Sequence, residues 1–131
     1  MDSKEYFEAY VKFADSTASA VSKNDKLFFE RQEELANWLN GNYTRFDMAI
    51  AGLVGEAGEA ADLWKKLKFQ NKELNDEQRQ KIVSELGDVC WYLAQASMAL
   101  GISLEDIINQ NIEKLKARHP QGFSEAYMKN K

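Results

Sequence analysis

Two stretches of this chain carry carboxylates in pairs, Gly55-Glu56-Ala57-Gly58-Glu59 and Ser84-Glu85-Leu86-Gly87-Asp88. In a helix, residues at i and i+3 share a face, so each stretch predicts a ledge of two acids, Glu56 with Glu59 and Glu85 with Asp88. Two such helices packed antiparallel bring four acids together. A cluster of this kind repels itself when dry and unpaired. A hard divalent cation removes that penalty, and magnesium takes oxygen ligands, commonly one or two carboxylates with water and phosphate completing its shell. A single Glu-x-x-Glu on a helix is ordinarily a solvated face. Here both pairs sit among apolar neighbours, Val54, Ala57, Ala60, Leu86 and Val89, which suits a metal site better than a water-facing surface.

Glycine strengthens the reading. Glu56, Glu59 and Asp88 each follow a glycine, and Gly52, Gly55 and Gly58 form a stripe at i, i+3, i+6. A mid-helix glycine costs about 1 kcal/mol relative to alanine. Close approach of a second helix, or room for ions and a phosphate chain, would offset that cost.

The elements that must position these residues are helices. A lone proline, Pro120, and few turn clusters favour long helices over short strands. The pattern predicts an all-α bundle of about five. The first spans roughly 3 to 21, with Phe7, Tyr10, Val11 and Ala14 at helical spacing; Ser22-Lys23-Asn24-Asp25 breaks it. The second spans about 26 to 40, burying Leu27, Leu35, Trp38 and Leu39, and ends at Gly41, suited to a left-handed cap. The third runs from about Thr44 to Phe69. The fourth starts from Asn75 with Gln78 in a capping-box arrangement and runs to Leu100, closed by Gly101. The fifth is capped by Ser103 with Asp106, turns Ile107, Ile108, Ile112 and Leu115 inward, and stops before Pro120. A loosely ordered tail, 121 to 131, is expected.

The 131 residues suit one domain with its own core, and 44% hydrophobic against 29% charged residues is a globular balance. The net charge of −4 argues against a nucleic-acid binder, which usually presents a basic face. Cys90 is the lone cysteine, so no intrachain disulfide can form; it reads as a small buried hydrophobe. No stretch has the apolar length of a membrane span or of a signal peptide, and a reducing, cytoplasmic setting is expected.

The order Glu56-x-x-Glu59, 25 residues, Glu85-x-x-Asp88 resembles the ExxE…ExxD signature of the MazG branch of the all-α NTP pyrophosphohydrolases. Three blocks are similar to that family: GLVGEAGEAADLWKK from Gly52, SELGDVCWYLA from Ser84 and NIEKLKARHPQGF from Asn111. The resemblance covers about Met48 to Phe123 and is nearest to short bacterial and phage proteins. Residues 44–123 would be the catalytic core and 1–40 a helical addition to it. The resemblance implies a nucleoside triphosphate pyrophosphohydrolase using Mg2+, or Mn2+, held by Glu56, Glu59, Glu85 and Asp88, with Glu59 or Glu56 accepting a proton from the attacking water. It implies substrate contacts from Asn111, Lys114 and Arg118, from Tyr92 one turn beyond Asp88, and more weakly from Lys66 and Lys65. It also implies a homodimer or homotetramer in which each site borrows from a neighbour.

Bland readings stand beside several of these. Lys114 and Arg118 could be a solvated basic face, and Tyr92 a core aromatic. Trp38 and Trp64 could stack on a base, although aromatics at helical spacing usually pack in a core. His119 occupies a position where relatives often carry tyrosine, which argues against a general-base role. A narrower dUTP or dCTP pyrophosphatase shares the same metal chemistry. A non-catalytic helical interaction protein is the reading from another class. A ferritin-like di-iron bundle expects Glu-x-x-His pairs, and His119, the sole histidine, lies outside any such pair.

Overall fold

The structure, a computed structural model, describes residues 1–123. All its named elements are helices, and the fold class is all-α. In chain order they are α1 (Ser3–Thr17), α2 (Ala20–Lys23), α3 (Asp25–Trp38), α4 (Tyr43–Phe69), α5 (Asp76–Leu100) and α6 (Leu104–Arg118). The expected first helix is divided in two, because Ala18 turns extended and Ser19 starts a new helix by accepting from the Ser22 amide at 3.2 Å. Residues 124–131, most of the expected loose tail, lie outside the described residues.

The helix starts follow local chemistry. Asp2 and Glu5 form a reciprocal capping box, and Asn24, Asn75 and Ser103 accept the amides of Leu27, Gln78 and Asp106 at 3.1, 2.9 and 3.0 Å. Each such cap contributes about 1 kcal/mol. Gly41 (φ +82°) and Gly101 (φ +68°) adopt the left-handed conformation where α3 and α5 end, which glycine reaches without a Cβ clash.

The chain divides into two compact units, Met1–Gly41 and Asn42–Lys131. The first holds α1 to α3. The second is built on the antiparallel hairpin of α4 and α5, with α6 following through the turn at Gly101. Opposing positions recede along α4 as they advance along α5: Arg45 meets Met98 at 3.8 Å, Gly52 meets Tyr92, and Glu56 meets Asp88.

Among the described residues the buried apolar side chains are Leu39, Ala49 and Ala99, with Ser97 the buried polar one. The Ser97 hydroxyl donates to the Ala94 carbonyl of its own helix at 2.7 Å. Several expected core residues are not covered within one chain. Trp38 is 71% exposed, and Ile107, Ile108, Ile112 and Leu115 are all partly open, Ile108 at 56%. Cys90, expected inside, is exposed. For Cys90 and the α6 residues the physical reason is shared: α4, α5 and α6 each carry an apolar band wider than the single seam a helical hairpin can close. Among the described residues no helix is long and apolar enough to cross a membrane.

Candidate metal centre

The hairpin brings together three of the four carboxylates. Glu56 of α4 and Glu85 and Asp88 of α5 each offer an oxygen, and these oxygens lie within 4.8 Å of one another. The i, i+3 spacing puts Glu85 and Asp88 on one face of α5, and the short connector 70–75 folds α4 back so that Glu56 faces them. Glu56 and Glu85 are half-buried and Asp88 is exposed.

Glu85 Oε2 is shut off from solvent with no hydrogen-bond partner. Burying a carboxylate oxygen in this way is costly unless a proton or a cation completes it. The neighbouring Glu56 carboxyl is held above the usual glutamate value of 4.5. The largest cause is that, once protonated, it can donate to Glu85; lost hydration and the charges of Glu85 and Asp88 add to this. An all-oxygen donor set, mutual repulsion and an orphaned buried oxygen together fit a hard divalent cation.

The sign of the Glu56 shift sets a pH dependence. Its proton is held more tightly in the folded chain than in the unfolded one, so the contribution to stability is full below 4.5. It is lost as pH rises through the raised folded value. Metal-free protein in chelator is therefore expected to lose this contribution, and to melt lower, as pH climbs above about 4.5 and through the raised folded value. Glu56→Gln should flatten that slope. Asp62, whose carboxyl is held low by Lys66 and Lys65, acts in the opposite sense but below its ordinary 3.8, outside this window. Melting curves of both proteins across that range check the expectation, and equal slopes would contradict it.

The other sequence-derived residues are placed as follows. Glu59 is exposed and lies outside the trio, and its charge is felt at Lys66. Lys66 is ion-paired to Asp62 at 2.9 Å, and Lys65 reaches the same carboxylate at 3.2 Å. Asp62 was not singled out from the sequence, although its i, i+3 and i, i+4 relation to two lysines was readable there. The Tyr92 ring lies against Gly52 and meets Trp91 edge-on, with centroids 5.0 Å apart. Asn111, Lys114 and Arg118 are exposed along α6. Trp64, 59% exposed, borders an open cleft of about 350 Å³ with Leu67, Leu74, Arg79 and Ile82.

The family model described as the MazG nucleotide pyrophosphohydrolase domain matches residues 45–123. The chain is similar to the Gene 37 protein of Mycobacterium phage L5, with 42% identity over 72 residues, 54% of this chain; it spans 63% of that protein's length. It is also similar to the uncharacterized protein YvdC of Bacillus subtilis (strain 168), with 32% identity over 96 residues, 71% of this chain and 87% of the relative. No solved structure matches. With the matched region running through both carboxylate pairs and on past α6, the chain belongs to the MazG nucleotide pyrophosphohydrolase family.

Proposed function

We propose that this protein is a magnesium-dependent nucleoside triphosphate pyrophosphohydrolase, converting a triphosphate and water into a nucleoside monophosphate and pyrophosphate. The observation that carries the reading is the trio of Glu56, Glu85 and Asp88 oxygens within 4.8 Å, one arm of it buried without a donor. When bound there, a divalent cation would neutralise phosphate charge and lower the pKa of a water. Glu59 stands outside the trio and is the carboxylate left to accept the proton of the attacking water. Lys66, Lys114 and Arg118 supply positive charge for the triphosphate, and Asn111 and Tyr92 border it. Arg118 brings a planar fork able to grip two phosphate oxygens, whereas a lysine acts as a point charge. A second copy of the chain is the proposed partner, in a dimer or tetramer. The cytoplasm, where nucleotides and magnesium are abundant, is the proposed setting, with unwanted or surplus nucleotides as substrates.

Product analysis tests the reading. Ribo- and deoxyribonucleoside triphosphates incubated with Mg2+ should yield monophosphate and pyrophosphate, not diphosphate and orthophosphate. Failure to turn over any nucleotide would favour the non-catalytic interaction protein. In the same assay Arg118→Lys keeps the charge but loses the fork, and Lys114→Ala loses the charge. Charge-assisted hydrogen bonds are worth about 1.5–3 kcal/mol, so each variant should lose roughly tenfold to a hundredfold in kcat/KM. Lys116→Ala, whose side chain pairs with Glu113 at 3.8 Å, should match wild type. If Arg118→Lys and Lys114→Ala also match it, that face of α6 is merely solvated.

A further inference from the structure

Gly52 stands one helical turn before Glu56 on α4, and Tyr92 one turn after Asp88 on α5. At this layer the two helices touch through a bare backbone. A Cβ added at Gly52 would overlap ring carbons Cδ1, Cε1 and Cζ of Tyr92, whereas one added at Gly55, Gly58 or Gly87 would meet nothing within 4 Å. Of the four glycines inside α4 and α5, Gly52 is therefore the one that permits a close approach. We propose that Gly52 and the Tyr92 ring form a spacer pair that sets the separation of α4 and α5 at the carboxylate trio. Both are positioning residues for the divalent cation, an inference that rests on Glu56, Glu85 and Asp88 being its ligands.

The physical link is short. The contact layer and the carboxylate layer are four residues apart on each helix, about 6 Å at the helical rise, and a helix is stiff over that distance. Magnesium-type sites demand near-ideal geometry. A methyl at position 52 must expel the ring or part the helices, and parting them pulls Glu56 away from Glu85 and Asp88. The ring has a steric task here that is separate from any contact its hydroxyl makes with substrate.

The test uses the full chain without nucleotide and Mn2+ alone, with free Mn2+ counted by electron paramagnetic resonance and helicity followed by circular dichroism. Gly52→Ala should weaken Mn2+ binding about tenfold or more, the range seen when residues supporting metal ligands are lost, with helicity retained. Tyr92→Phe, which keeps the ring, should bind Mn2+ as wild type does. The decisive comparison is a double-mutant cycle. With the ring removed the methyl has room, so Gly52→Ala/Tyr92→Ala should bind Mn2+ as Tyr92→Ala does.

The inference is overturned if folded Gly52→Ala binds like wild type, or if the methyl costs as much in the Tyr92→Ala background as in the wild type. Should Gly52→Ala fail to fold, the double variant must still fold and match Tyr92→Ala; its unfolding would equally overturn the spacer. Wild-type protein that binds no Mn2+ would overturn the metal reading itself, and this inference with it.

Discussion

Asp88→Ala is expected to reduce magnesium-dependent hydrolysis by about a hundredfold to a thousandfold or more, the scale on which a preorganised electrostatic partner acts, while leaving the helices intact. Asp88 is exposed, so its removal opens no core cavity. It also takes one charge out of a trio whose oxygens lie within 4.8 Å, so metal-free protein should melt no lower than wild type. Glu59→Ala separates the roles of the carboxylates. Glu59 lies outside the trio, so its loss should lower kcat at saturating metal, whereas Asp88→Ala should first weaken the metal itself. Steady-state rates measured across a metal titration distinguish the two. Wild-type activity in Asp88→Ala, or in excess chelator, would defeat the assignment.

Ile108→Glu is expected to disperse the protein into inactive single chains. The second unit has wide apolar bands on α4, α5 and α6 that its own helices do not cover: Val54 is 68% exposed, Leu86 52% and Ile108 56%. Large side chains of this kind are each worth about 1.5–3 kcal/mol when removed from water, which is the ground for proposing a second copy of the chain as the cover. In a two-fold assembly each substitution acts twice. A carboxylate on the single chain's exposed face costs within about 0.5 kcal/mol. Buried in duplicate without partners, it costs several kcal/mol, enough to weaken association at least about a thousandfold. Light scattering coupled to size exclusion should show wild type as a dimer or tetramer. A wild-type monomer that is stable and active at micromolar concentration would refute the proposal of an assembly. A variant that assembles normally would show that the α6 face is not the one covered.

Much of the secondary structure was legible in the residues because its causes are local. Asn75, Ser103, Gly41 and Gly101 mark helix ends through hydrogen bonds and backbone freedom within a few residues of themselves. The i, i+3 spacing of Glu56 with Glu59 and of Glu85 with Asp88 likewise follows from one helix at a time. One local reading still failed. The first helix breaks at Ala18, where Ser19 offers a competing cap, and the single helix expected over 3 to 21 missed that signal.

What needed the tertiary structure is whatever depends on how two helices meet. Rotation about the hairpin seam decided that Glu56, Glu85 and Asp88 converge while Glu59 stands outside, a difference that equal spacing within each pair could not reveal. The same rotation seats Tyr92 on Gly52 and leaves Gly55 and Gly58 facing open space, although all three glycines lie on one stripe. Burial was the least legible quantity. Apolar periodicity states that Ile108, Leu86 and Cys90 lie on bands suited to contact, but not whether the cover comes from the same chain. Helical spacing is a property of one segment, whereas burial is a property of everything packed against it.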